Sequence, residues 1–352
     1  MNSLAQAAYY TRTIIKLSAI GLVLFFVIKF SINLGIAYWK QKNPPPPPAP
    51  EIRFGNLPKI AFPAPSDKLP ASLTYSLETI EGILPNLPTL GKVYFVPQPG
   101  PSLLASDRAK QKAGNLGFSG EPVLLTQTKY RFTSRAEPVA TFELDIISGN
   151  FKLSYPYLSD PTLLQNPNVP QLSQAIAEAR SYLAAAGALT DEIRDGRGEA
   201  NYLKLDGQNL VPALSFSEAQ FTSVNLFRKD LDTWPILSPN PKKSLIHFLF
   251  SGSGEQRRRI VEANFTYGPI DRQISSTYPL KTSAQAWQEI QAGQGFVANL
   301  GQNENGKITI RKAYLAYFDS EEPQKFLQPI FVFEGDRNFF AYITAVDSQY
   351  TD

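Results

Sequence analysis

Read from the N-terminus, the pattern of apolar and polar positions changes character three times. Residues 17–39, LSAIGLVLFFVIKFSINLGIAYW, are almost unbroken in their apolar character. That length suffices for a helix to cross a bilayer, and Tyr38 and Trp39 stand where amphipathic rings favour the interface. No small-x-small site follows directly, so the span reads as an uncleaved anchor after a short N-terminal cytoplasmic segment, 1–16. Next comes KQKNPPPPPAP, residues 40–50. Five consecutive prolines, Pro44 to Pro48, exclude helix and central strand and favour an extended stalk. Pro44–Pro50 would reach about 20 Å as polyproline helix.

Beyond the stalk, residues 51–100 mix short alternating runs (SLTYSLETI, GKVYFVP) with Leu-Pro steps that block regular helix, and read as an extended or β arm. From about residue 101 a short helical run, a glycine and a set of alternating strands recur three times. The expected units are 101–170, 171–274 and 275–352. In the first, the helical run SLLASDRAKQKAGNLGF precedes strands that turn at Ser148-Gly149-Asn150. In the second, Leu172, Ile176, Ala179 and Leu183 recur at helical spacing and Gly187 supplies a stop. In the third, Thr282 or Ser283 caps TSAQAWQEIQAG and Gly293 ends it. The expected fold is α+β: an N-terminal transmembrane helix, a Pro-rich stalk, and repeated units of a short helix packed on antiparallel strands.

Composition narrows the chemistry. The chain has 352 residues, 43% of them apolar, and a formal charge of only +3. No basic run is long enough for a nucleic-acid surface, and the densest basic site, Arg257–Arg258–Arg259, reads as a solvated loop. With no cysteine and one histidine, His247, disulfides, thiol nucleophiles and multi-histidine metal centres are excluded. His247 sits in the apolar run SLIHFLF and reads as a core or sheet-face residue. Asp230 and Asp232 lack the further ligands of a calcium loop. SGSGEQRRR lacks the Lys-Ser/Thr of a phosphate loop. Asp319, Glu321 and Glu322 offer a carboxylate group of glycosidase type, but share one polar loop beside Pro323 and read as solvated. No catalytic, cofactor-binding or metal-binding residue is assigned.

Two sets of residues stand out for contact. Lys29 lies near the middle of the apolar span, where a lysine costs about 2.5–3.5 kcal/mol. Either it snorkels or it meets a partner helix, and Asn33 lies four residues on along the same face. At the far end, the aromatic meander Tyr314–Val346 offers Tyr314, Tyr317, Phe331 and Tyr342 as candidate surface or edge contacts, since alternation leaves one of each neighbouring pair facing outward.

The stretches TYPLKTSAQAWQEIQAGQG, ITIRKAYLAYFDS, LQPIFVFEG and FFAYITAV resemble the extracytoplasmic regions of YycH/YycI-type regulators and, in element order, PepSY-like domains. The resemblance is specific over about residues 275–346 and rests on packing motifs. It implies a single-pass, membrane-anchored envelope protein with its large domain outside the cytoplasm. The expected function is non-enzymatic: it binds or regulates another membrane or envelope protein, its partners being that protein and the lipid bilayer, with no cofactor and no nucleic acid. The alternative is an anchored cell-wall hydrolase using acidic residues.

Overall fold

The computed structural model describes residues 3–42, 49–64, 69–70, 72–100, 102–165 and 168–352. They form two bodies, one ending at Ala49 and one running from Pro50 to Asp352. The five prolines of the expected stalk lie outside the described residues.

The first body is a single helix, α1 (Ser3–Lys42). It starts well before the apolar run, so the stretch long and apolar enough to cross a membrane is Tyr9–Trp39. Those 31 residues measure roughly 46 Å at the helical rise, against about 30 Å of bilayer hydrocarbon. Lys29 therefore lies off the helix midpoint, about one and a half turns toward Trp39. Within this body the apolar side chains from Tyr9 to Trp39 are exposed.

The second body begins with β1 (Thr74–Leu77) and β2 (Leu90–Phe95), followed by α2 (Ala105–Asn115). Then come β3 (Val123–Leu124), β4 (Lys129–Thr133), β5 (Thr141–Asp145) and β6 (Phe151–Ser154). Three helices follow, α3 (Thr162–Gln165), α4 (Leu172–Ala185) and α5 (Asp191–Arg194). Next are β7 (Gly198–Asp206), β8 (Asn209–Pro212), β9 (Phe221–Leu226), β10 (Ile236–Leu237) and β11 (Ile246–Ser251). After one turn of α6 (Gln256–Arg259) come β12 (Ile260–Phe265), β13 (Asp271–Pro279) and α7 (Ser283–Gln291). The chain closes with β14 (Phe296–Asn299), β15 (Lys307–Phe318), β16 (Phe326–Gly335) and β17 (Phe339–Thr344).

These strands make two sheets, not three helix-on-strand units. One sheet has nine strands in the order β3-β4-β5-β6-β12-β11-β9-β7-β8, and every pairing in it is antiparallel. The join is β6 to β12, which pairs Leu153 with Ala263 and fuses the strands of 101–170 with those of 171–274. The other sheet has eight strands built around β15, β16 and β17. The 51–100 segment supplies β1 and β2 to it, and β1 and β10 both run parallel to β15.

Local signals place the helices. Thr282 accepts from the Gln285 backbone while the Gln285 side chain returns to the Thr282 N–H, a full capping box on α7. Gly187, at φ +64°, lies just beyond the end of α4. α4 buries Ala175, Ala179 and Leu183 against the nine-stranded sheet, where Tyr182 meets Phe248 edge-on at 5.7 Å.

The eight-stranded sheet is covered on both faces. Leu315, Phe331, Phe333, Ala341 and Ile343 pack with Ala286 and Ile290 of α7. Their alternates Ala316, Phe318, Ile330, Val332 and Tyr342 pack with Ile60 and Phe62, and with Leu237 of the neighbouring strand β10. Both parities of β16 are buried, so neither face of this meander is solvated. This corrects the expectation for the aromatic contacts: Tyr317, Phe331 and Tyr342 are buried, and Tyr314 is half-buried against the second cluster.

Candidate functional site: a groove on the polar face of the nine-stranded sheet

The nine-stranded sheet is packed on one face only in its middle strands. Val224, Phe248 and Ala263 point to α4, and their alternates, Leu249 apart, carry polar side chains. Register sets these in rows across the strands. Asn201, Ser223, Leu249 and Glu262 are successive cross-strand partners, and so are Glu199, Asn225, His247 and Asn264.

A hollow of about 910 Å³ opens over these rows. Asn201, Ser223, Asn225, His247 and Glu262 line it from the strands, and Leu203, Leu210 and Leu249 give it an aliphatic patch. Lys242 and Lys243 line it from the β10–β11 connection, Asn299 from the end of β14, Gln302 from the segment after it, and Arg337 from the β16–β17 hairpin. It shares Lys243, His247 and Glu262 with a second hollow of about 470 Å³, whose lining adds Lys152, Asn264, Glu321 and Glu322.

His247 lines both hollows. Its Nδ1 lies 3.2 Å from the Ser244 carbonyl, which can only accept, so Nδ1 carries the proton and Nε2 presents a lone pair. Burial, with Lys243 and Lys152 adding to it, lowers the His247 pKa to about 4. The ring is therefore neutral at physiological pH, a hydrogen-bonding group and not a charge. As expected from sequence, it is a sheet-face residue.

The acids singled out by sequence divide. Asp319 is buried, contrary to the expectation that it faces water. Its carboxylate accepts from Arg228 at 3.1 Å, and Arg228 also grips Glu192 at 2.6 Å. Tyr267 stacks on the guanidinium at 4.5 Å, and Arg272 reaches Glu192 at 3.2 Å. Burial pushes the Asp319 carboxyl up, against the pull of Arg228. The cluster ties α5 and the end of β9 to the end of β15 and to β13, fastening one sheet to the other. Glu321 and Glu322 remain exposed, at the rim of the second hollow.

The arginine triplet is likewise engaged and not a solvated loop. Arg257 donates to the Ala136 carbonyl, Arg258 to Asp160 at 2.6 Å and to Thr162, and Arg259 to Glu178 at 2.9 Å. Burial opposes ionisation of Asp160, yet hydrogen bonds from Thr162, Tyr155 and Arg258 outweigh it and hold the carboxyl below its ordinary range. Asp232 sits at φ +50° in the tight turn Leu231–Trp234, bound to Tyr94 and, at 3.0 Å, to Lys92. Among the described residues no cluster of three or more His, Asp or Glu side chains could hold a metal ion. Lys29 and Asn33 lie in the other body, on α1.

Sequence reasoning missed the groove because its walls come from three separate connections as well as the sheet. It also missed that the meander is covered twice, for which a signal existed: Phe326–Phe333, FLQPIFVF, is apolar at both parities over most of its length, the mark of a strand buried on both faces.

No family model and no curated protein matches the chain. Among solved structures it is similar to an uncharacterized protein from Eubacterium rectale ATCC 33656, at 9% identity and a TM-score of 0.34. That similarity covers 73% of this chain and 82% of the other.

Proposed function

We propose that this is a single-pass membrane protein whose α+β domain lies outside the cytoplasm and binds or regulates another membrane or envelope protein without catalysing a reaction. α1 anchors it, the Pro-rich segment expected over 40–50 serves as the stalk, and Lys29 with Asn33 contacts the partner within the membrane. The reading agrees with the resemblance to YycH/YycI-type regulators over 275–346.

The observation that carries it is the state of the acids. General acid catalysis needs a carboxyl sheltered from water and free to give up a proton. The sheltered Asp319 and Asp160 are held by Arg228 and Arg258, while Glu321 and Glu322 are exposed. What is left facing outward is an open groove of amides, lysines, Arg337 and one neutral histidine, with Glu262 as the one acid in the lining of the first hollow, which suits recognition.

External protease added to spheroplasts carrying the full chain tests the topology. The reading expects the 50–352 domain to be shaved off, and full protection would overturn it. The same cells carrying Lys29→Leu test the contact: retention of the anchor with loss of partner cross-links is expected, and unchanged cross-links would remove Lys29 from the site.

A further inference from the structure

Three cations, Lys242, Lys243 and Arg337, line the first hollow. Arg131, Arg228, Arg258, Arg259, Lys281 and Arg311 each hold a carboxylate. Lys242, Lys243 and Arg337 hold none among the described residues, although all three line the same hollow. Lys242 rests over the Phe340 ring at 5.3 Å, and among the described residues the one hydrogen bond of the Arg337 guanidinium is a long one, 3.5 Å, to the Gln302 carbonyl. Glu262 is the one carboxylate that lines the hollow with them, so among the described residues cations outnumber acids there three to one, a balance that favours an anion.

The backbone that presents Arg337 is strained and clamped. Arg337 and Asn338 stand at φ +54° and +64°, where non-glycine residues are uncommon. The Gln302 N–H donates to the Arg337 carbonyl at 3.1 Å, and Asn303 donates to Asp336 at 3.1 Å. Gly301 makes that clamp possible: a Cβ there would fall 1.9 Å from the Arg337 oxygen. A hairpin tip held in this conformation keeps its arginine at the rim of the groove, and such strain concentrates at binding sites.

The rest of the lining narrows the class of ligand. His247 Nε2 accepts a hydrogen bond, as does the Glu262 carboxylate, so the ligand brings N–H or O–H donors as well as negative charge. Leu203 and Leu210 are half-buried and Leu249 is buried beneath the hollow, a patch that suits apolar groups opposite it. An anionic sugar supplies charge and donors but few aliphatic groups. An extended polypeptide supplies all three, with side chains alternating between acidic and apolar. The two joined hollows give it length, and the far end, where Glu321 and Glu322 stand beside Lys152, is no longer purely cationic.

We infer that the groove between Arg337 and His247 binds an extended acidic peptide segment of the partner protein, its carboxylates on Lys242, Lys243 and Arg337 and its apolar side chains on Leu203, Leu210 and Leu249. The inference rests on the partner-binding reading above and names the chemistry of that partner.

The test is fluorescence anisotropy with the full chain in nanodiscs of zwitterionic lipid. The probes are a labelled decapeptide alternating Glu and Leu, a Lys-Leu decapeptide, and an oligogalacturonate of similar length. The Glu-Leu peptide alone should bind, more weakly as salt rises, and the triple variant Lys242→Ala, Lys243→Ala, Arg337→Ala should weaken it at least tenfold at an unchanged melting temperature. Should the triple variant misfold, the single reversal Lys243→Glu should still weaken binding several-fold. Equal binding of oligogalacturonate at the same residues would overturn the peptide class, and absence of Glu-Leu binding, or binding indifferent to these substitutions, would overturn the site. Partner cross-linking by the triple variant in membranes separates the two claims: if it persists undiminished, the anchored binding protein stands and the groove falls.

Discussion

The two sheets of the domain solve the same problem in opposite ways. The eight-stranded sheet buries both faces, with Phe331 and Phe333 under α7 and Phe318 and Val332 under Ile60 and Phe62. The nine-stranded sheet buries Val224, Phe248 and Ala263 under α4 and turns Asn201, Ser223, Asn225, His247 and Glu262 toward a groove. A strand packed on both sides has no position left for recognition. The middle of a strand packed on one side keeps every second residue for it. The aromatic sheet is therefore the foundation, and the plainer one carries the contact surface.

The largest effects should fall on both faces of the foundation. Phe333→Ala and Phe318→Ala remove fully buried rings from opposite sides of the sheet. Each should cost about 3–5 kcal/mol in chemical denaturation. If only one face proves sensitive, the doubly covered sheet is wrong.

Next comes the fastening between the sheets. Asp319→Asn leaves Arg228 with one carboxylate in a buried site and should cost about 3 kcal/mol. The double variant Glu321→Gln, Glu322→Gln touches exposed side chains of the same loop and should stay within about 0.5 kcal/mol. Equal melting of the two variants would place Asp319 in water.

Acid should act first through the groove. Because His247 resists protonation when folded, stability is full above about pH 6.5 and falls as pH drops toward about 4. The loss should be on the order of 1–3 kcal/mol across that window. Asp160 and Glu178, both held below the ordinary range, lose their share only at still lower pH. Denaturant titrations at stepped pH should show the upper part of the decline vanish in His247→Asn. An unchanged profile would remove His247 as its source.

The smallest effects on stability belong to the groove floor. Asn201→Ser, at an exposed position, should shift stability by no more than about 0.5 kcal/mol. A large destabilisation would mean that this face is structural after all.

What sequence conveyed and what it withheld divide along the range of the interactions. The Thr282 cap, the Gly187 stop and the Ser148–Asn150 turn were legible because each is settled within a few residues. The pairing of Leu153 with Ala263, and that of Arg228 with Asp319 across 91 positions, were not, because no local periodicity records which distant strand or charge arrives. Alternation alone assigned Tyr317 and Tyr342 to a surface that other segments cover. It gave no hint that Lys242 and Lys243 of the β10–β11 connection line the same hollow as Arg337 of the β16–β17 hairpin, since the course of each depends on the assembled sheets. His247 was placed on a sheet face correctly, but the hollow over it needed both sheets.

The central claim is that recognition lives on the open face of the nine-stranded sheet. Photo-cross-linking in intact membranes tests it most directly, with benzoylphenylalanine placed singly at Asn201 in the groove, at Arg108 on α2 and at Lys307 on β15, all exposed positions. The account expects a discrete protein adduct from position 201 and none from 108 or 307. Adducts from 108 or 307 with position 201 silent would contradict it.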